Sequence, residues 1–316
     1  MKLSIVVPVY FNQDNLHPLY KNLKENVFDK LKDEYELIFV DDGSQDHSFA
    51  VMEELQAVDQ NIRLIKLSRN FGSHSAILAG YMHATGDCAT CISADLQDPP
   101  EIILNMLERW KTGAKVVLAV RQDRKEPFLQ KFFSNLYYSM MKKFALKGMP
   151  KGGFDCCLID RQVIDIISMM EEKNTTIMGQ IIWCGFKPDF IYYVRRQREI
   201  GESMWTFSKK LKLSIDSFLG FSYIPIRLII MIGLVFTLIA IVWSAYIIIM
   251  KIIGGITIAG YATLIIINLF SFGMIMLMLG ILGEYLWRVF DSVRKRPPYI
   301  IERIVEKKDK DGGGDQ

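Results

Sequence analysis

The residues that first point to chemistry are Ser93-Ala94-Asp95-Leu96-Gln97-Asp98-Pro99-Pro100-Glu101. An apolar run at 88–92 precedes them and a helical pattern follows. This predicts a place at the C-terminal end of a strand, where open α/β sheets bind ligands. A carboxylate and an amide oxygen two residues apart, Asp95 and Gln97, suit a divalent metal and the diphosphate it carries, and the two prolines stop the strand. The plainer alternative is a solvated turn. Asp98 is expected to cap the helix that Pro99-Pro100-Glu101 begins.

Other polar groups stand at the ends of other apolar runs. Asp41-Asp42-Gly43-Ser44 closes the run 35–40 and suits a ribose or a base edge, or an ordinary Asp-Gly turn. Ser68-Arg69-Asn70-Phe71-Gly72-Ser73-His74 follows the run 62–67 and opens into a helix, so its free amides and Arg69 could face a phosphate. His74 reads as a surface or capping histidine. After the run 115–120 come Arg121-Gln122-Asp123-Arg124-Lys125, a solvated cluster or a phosphate clamp.

The elements that must position these groups follow from periodicity. The run at 3–9 is continuous and apolar, as a buried parallel strand is, and the shorter, mostly apolar runs at 35–40, 62–67, 87–92 and 115–120 also predict strands. Apolar residues at helical spacing lie between them, as with Leu16, Leu19, Leu23, Val27 and Leu31 over 15–31. Further helices are expected at 48–58, 75–84, from about 101 to 111, and at 128–146. Strands alternating with helices predict an α/β fold with a mostly parallel sheet.

Half of the 316 residues are hydrophobic and 23% are charged, and the two kinds are segregated. From 228 to 283 the only charged residue is Lys251. Residues 228–250 are long enough to span a bilayer at ~1.5 Å per residue. Gly254-Gly255 and Gly260 predict a hairpin loop before a second helix from about Ala262. Lys209, Lys210, Lys212 and Arg227 precede this pair; Arg288, Arg294, Lys295 and Arg296 follow it. The positive-inside rule then places both ends in the cytoplasm.

The expected organisation is a catalytic domain at 1–205, an amphipathic interfacial segment on anionic lipid at 206–227, a two-helix transmembrane hairpin at 228–286, and a cytoplasmic tail at 287–316 that is disordered from 307. A net charge of +3, with no basic block interleaved with aromatics, excludes nucleic-acid binding. An odd count of five cysteines and a start that opens directly into a strand predict a reducing cytosolic location for the first domain. Cys88-x-x-Cys91 lies in an expected strand with no second spaced pair for zinc. Gly280-x-x-Gly283 offers a helix contact for a homo-oligomer.

The string Ala94-Asp95-Leu96-Gln97-Asp98-Pro99-Pro100-Glu101 resembles the metal-binding signature of family 2 glycosyltransferases, in the branch of dolichol-phosphate mannose synthases and bactoprenol-phosphate glycosyltransferases. The resemblance covers nearly the whole chain, including Asp41-Asp42-Gly43-Ser44, Arg69-Asn70-Phe71-Gly72, Asp155 within 152–161, and Arg198 and Ser203 within 192–205. It implies a GT-A-type, Rossmann-like catalytic domain followed by two transmembrane helices. The donor would be a nucleotide-sugar, with Asp42 on the nucleoside, Pro8 and Tyr10 lining the base, and Mg²⁺ or Mn²⁺ on Asp95 and Gln97. The acceptor would be a polyprenyl phosphate held by Arg121, Arg124, Arg198 and Ser203. Asp155 would orient the acceptor or act as a base, or else tie down its loop.

The resemblance further implies inversion at the anomeric carbon, with UDP-glucose the first choice of donor. No Gln-x-x-Arg-Trp string occurs, which separates the chain from processive polysaccharide synthases. Three departures stand out: Ser93 where the mannose synthases have aspartate, Cys156-Cys157 for Phe-Arg, and Met204 for lysine. They motivate the alternative of a noncatalytic membrane partner that keeps the fold.

Overall fold

The apolar runs and amphipathic helices build one eight-stranded sheet and its covering helices. The computed structural model describes residues 1–122, 138–143, 146, 148–150, 153–170, 176–196, 221, 224–253 and 260–306. The chain divides into two units, Met1–Gly220 with Pro297–Gln316, and Phe221–Arg296. The strands, in chain order, are β1 (Lys2–Val9), β2 (Glu34–Asp41), β3 (Ile62–Leu67), β4 (Cys88–Cys91), β5 (Val116–Arg121), β6 (Cys156–Asp160), β7 (Asp189–Tyr193) and β8 (Ile301–Val305). Their order across the sheet is β7-β5-β6-β4-β1-β2-β3-β8.

The parallel pairs β1–β2, β1–β4, β2–β3 and β5–β7 give the sheet its mostly parallel character. β6 runs against both β4 and β5, and β8 runs against β3. Six strands therefore carry their C-terminal ends to one edge, and β6 brings its N-terminal end there. The helices of this unit are α1 (Gln13–Asn26), α2 (Ser48–Val58), α3 (Ser73–His83), α4 (Glu101–Lys111), α5 (Arg161–Ser168) and α6 (Ile177–Trp183). Leu16, Leu19 and Leu23 of α1 and Met106 of α4 join Ile5, Val7, Phe39 and Val117 in one core. With both faces covered, continuous apolar strands lose almost all contact with water.

Three strands, β6, β7 and β8, lie outside the five expected runs. Residues 156–160 carried no strand expectation, and Ile301–Val305 fell in the expected tail. The structure returns the chain after Arg296 to the first unit, where β8 covers the β3 edge.

The N-terminal ends of the central strands β1 and β2 are held by a buried carboxylate. Glu36 accepts hydrogen bonds from Ser4 Oγ (2.5 Å), Thr85 N (2.6 Å) and Thr85 Oγ1 (2.8 Å), with Lys2 Nζ at 3.1 Å. Burial alone would raise its pKa, but the bonds from Ser4 and Thr85 outweigh burial and hold it below the usual carboxylate value. A lowered folded pKa contributes stability above the unfolded value of about 4.3, and that stability is lost as pH falls through the folded pKa. Replacement Glu36→Leu leaves Ser4, Thr85 and Lys2 without their acceptor and is expected to cost about 2–4 kcal/mol. Denaturant unfolding should show the loss at pH 7 and a smaller gap between variant and wild type in acid.

The second unit contains α7 (Ile224–Ile252) and α8 (Tyr261–Val293), with the Phe236 and Phe270 rings 5.3 Å apart. Leu238, Ile241, Val242, Leu277, Leu282 and Leu286 are all more than half exposed, opposite to the pattern of a soluble helix pair. Among the described residues, Phe270–Val293 is the one stretch long and apolar enough to cross a membrane, while Ile229–Trp243 is apolar but shorter. The expected interfacial segment 206–227 lies mostly outside the described residues, as do the helix at 128–146, the Gly254-Gly255 turn and the tail 307–316.

Candidate active site

At the ends of β1, β2 and β3, two motifs separated in sequence form one piece of structure. Asp42 is buried, its Oδ1 accepting from Phe71 N at 2.7 Å and its Oδ2 from Gly72 N at 2.9 Å. Burial pushes its pKa up to about 6, against the two amides. The carboxylate expected on the nucleoside therefore binds the Arg69-Asn70-Phe71-Gly72 loop through both oxygens. Its neighbour Asp41, fully buried, accepts from Ser44 N at 3.1 Å through Oδ1, while Oδ2 has no partner among the described residues.

A cleft of about 310 Å³ opens over this joint, lined by Tyr10, Ser44, Lys66, Arg69, Asn70 and Glu302 among others. Pro8 sits within β1, opposite Val40, and is absent from the lining. Gly43 has φ +73°, and a Cβ there would stand 2.5 Å from the Arg69 carbonyl carbon. Both facts oppose a side chain. Gly43→Ala is expected to push the Arg69 loop away and destabilise the fold by about 1–3 kcal/mol, measured by denaturant unfolding.

The second half of the site gathers at the ends of β4, β5 and β7 and the start of β6. Leu96 takes a left-handed φ of 60° between Asp95 and Gln97. That turn lets Gln97 N donate to Asp95 Oδ1 at 3.2 Å, while Ser93 Oγ accepts from Asp95 N at 3.4 Å. Gln97 Nε2 faces Arg196 O at 3.4 Å, so its amide oxygen is the atom left to act as a ligand. Among the described residues no group of three His, Cys, Asp or Glu side chains could hold a cation unaided. One carboxylate and one amide oxygen fit a cation whose remaining ligands are diphosphate oxygens and water.

Asp98 does not cap α4, whose N-cap is Pro100 with no side-chain bond. It is buried, accepting from Tyr193 Oη at 2.8 Å, with Arg195 Nε at 3.4 Å. Burial pushes its pKa up to about 6, against Arg195 and Tyr193. Arg195 also reaches Asp95 Oδ2, at 3.5 Å.

Asp155, at the head of β6, forms an ion pair with Arg121 Nε at the end of β5 and lies 3.5 Å from Tyr193 Oη. Burial opposes the Arg121 charge, but Asp155 and Tyr193 outweigh it and hold the guanidinium's pKa above its ordinary value. Burial, then Asp98 and Asp155, raise the Tyr193 pKa, so its hydroxyl stays protonated and donates.

Three aspartates and two arginines thus meet around one tyrosine. Asp95 and Gln97 share one turn and Asp155 pairs with Arg121 at the same edge; Arg124, Arg198 and Ser203 lie outside the described residues. Tyr193 and Arg195 were missed as site residues, although their place at and just after the end of a short strand was a usable signal. Cys156 and Cys157, which replace the Phe-Arg of the resembled motif, are buried in β6. His74, expected as a surface or capping histidine, lies in the first turn of α3 with its Nδ1 buried, and burial lowers its pKa.

An α/β sheet whose strand ends hold a polar cleft and gathered carboxylates is suited to binding a charged ligand at that edge. Residues 4–168 match the model of glycosyl transferase family 2, and the chain belongs to that family. It is 39% identical to the uncharacterized glycosyltransferase YkcC of Bacillus subtilis (strain 168), over 96% of this chain and 94% of that protein. It is 36% identical to the prophage bactoprenol glucosyl transferase homolog of Escherichia coli (strain K12), over 96% and 99%. To the SfII prophage-derived bactoprenol glucosyl transferase of Shigella flexneri it is 34% identical, over 96% and 98%.

Proposed function

We propose that the protein transfers glucose, with inversion, from UDP-glucose to a polyprenyl phosphate such as undecaprenyl phosphate, making a lipid-linked sugar for modification of cell-envelope glycans. The observation that carries this reading is the convergence of Asp95, Asp98, Asp155, Arg121, Tyr193 and Arg195 at one sheet edge beside the cleft. Relatives of nearly equal length named for bactoprenol glucosyl transfer support the acceptor and the sugar.

In this reading the nucleoside occupies the cleft by Tyr10 and Ser44, and the diphosphate extends toward Asp95. Asp95 and Gln97 would hold Mg²⁺ or Mn²⁺, which when bound supplies positive charge to the departing nucleoside diphosphate. Arg121 and Arg124, at and after the end of β5, and Arg198 and Ser203, beyond β7, serve the acceptor phosphate. With a second pKa of roughly 6, that phosphate is largely dianionic at neutral pH and attacks without a strong base. Asp155 then aims Arg121 at the acceptor, and Tyr193 keeps Asp98 and Asp155 in register.

The membrane assignment rests on α7 and α8 together, each longer than the ~20 residues a span requires. Basic residues flank the pair, which favours a two-pass protein of the inner membrane with the catalytic unit and both ends cytoplasmic. Offering UDP- and GDP-hexoses in parallel with undecaprenyl phosphate tests the donor. UDP-glucose should turn over fastest, and a preference for GDP-mannose would overturn the glucose assignment.

A further inference from the structure

The strand that follows the apolar helices returns to the donor cleft. Glu302 of β8 lines that cleft together with Lys66 of β3, and Glu302 Oε1 lies 3.0 Å from Lys66 Nζ. The pairing of β8 with β3 shifts register between Lys66 and Leu67, so Arg303 stands opposite Lys66 and Ile301 opposite Leu67. Glu302 falls at that irregularity, where a bulged residue can be re-aimed out of the regular alternation. Its neighbour Arg303 reaches Glu53 of α2 at 3.1 Å instead.

Backbone bonds fix the approach: Ser68 N donates to Ile300 O at 2.9 Å, at the end of β3 where the cleft begins. A second tie, from Gln56 Nε2 to Val305 O at 2.9 Å, anchors the far end of β8. The ammonium of Lys66 also acts on Asp41, the buried carboxylate with one unpartnered oxygen. Lys66 therefore links the interior acid of β2 to the cleft acid of β8.

We propose that β8 is the outer wall of the nucleoside half of the donor cleft, and that the Lys66–Glu302 pair is its polar contact with the nucleoside of the bound nucleoside diphosphate. This rests on the donor reading above and adds the C-terminal segment to the binding machinery. A carboxylate beside the cleft suits hydroxyl and N–H donors, which a nucleoside carries and a bare diphosphate lacks. The chain's last strand thereby ties donor affinity to a segment that begins just after the apolar helices.

The test is calorimetric titration of UDP, UMP and pyrophosphate, each with Mg²⁺, into full-length protein in detergent, comparing wild type with Glu302→Ala, Lys66→Met and Arg303→Ala. Glu302→Ala and Lys66→Met are each expected to weaken UDP and UMP by the same factor, about tenfold, and to leave pyrophosphate unchanged. Arg303→Ala, which disturbs the strand but not the pair, should bind UDP as wild type does. UDP affinity within twofold of wild type in both pair variants overturns the proposal. So does an equal loss in Arg303→Ala, which would mean that a loosened strand, not the pair, is responsible. If wild type itself binds neither UDP nor UMP, the donor reading fails first, a result distinct from failure of β8 alone.

Discussion

Asp95→Asn should lower sugar transfer by about a thousandfold while leaving the protein folded, with a melting temperature within a few degrees of wild type. Asparagine retains an oxygen for the Gln97 amide that now bonds Asp95 Oδ1, so the turn at Leu96 keeps its shape. What disappears is the charge. The only carboxylate in the Asp95–Gln97 pair is then neutral, and a divalent cation on the diphosphate loses its anionic anchor. Arg195 keeps its contact with Asp98, so the guanidinium is not left buried without a counterion. Steady-state kinetics should show the loss in kcat.

Arg121→Met should cost both stability and activity. Its guanidinium is 17% exposed and is paired to Asp155, itself 28% exposed. Removing it leaves a partly buried carboxylate with the Tyr193 hydroxyl at 3.5 Å. The expected loss is about 2–3 kcal/mol, less than for a fully buried pair because water reaches both groups. Transfer should fall about a hundredfold or more, from the lost acceptor cation. The double variant Arg121→Met with Asp155→Asn separates the two effects. Stability should recover, since no charge is left unpaired, and activity should not. Recovery of activity in the double variant would show that Arg121 only neutralises Asp155.

The parallel half of the sheet was legible because its strands β1 to β5 are short, mostly apolar runs closed by turn residues. Asp42, Asp95 and Gln97 were legible as positions because they follow such runs. Direction was not: the apolar run of β6 reads alike whether the strand is parallel or antiparallel, yet its reversal is what carries Asp155 to the strand-end edge. Ile301–Val305 is short and carries two adjacent charges, Glu302 and Arg303, features that protect an edge strand and resemble a solvated tail in sequence.

Asp98 was misread because aspartate before Pro-Pro fits a helix cap, whereas burial beside Tyr193 and Arg195 decided its orientation. Asp42 stands where expected, but the loop amides it holds come from residues nearly thirty positions away, and local pattern cannot report them. In both cases long-range hydrogen bonding, not local propensity, set the side chain's partners.

The most direct test of the central claim is transfer of labelled glucose from UDP-glucose to undecaprenyl phosphate by purified protein in detergent, with Mg²⁺ or with EDTA, for wild type and Asp95→Asn. Label should pass into the organic-extractable lipid with wild type and Mg²⁺, and should fall to background with EDTA and with Asp95→Asn. Absence of lipid-linked product from every UDP- and GDP-hexose, with wild type indistinguishable from Asp95→Asn, would contradict the account and favour a noncatalytic membrane partner that keeps the glycosyltransferase fold.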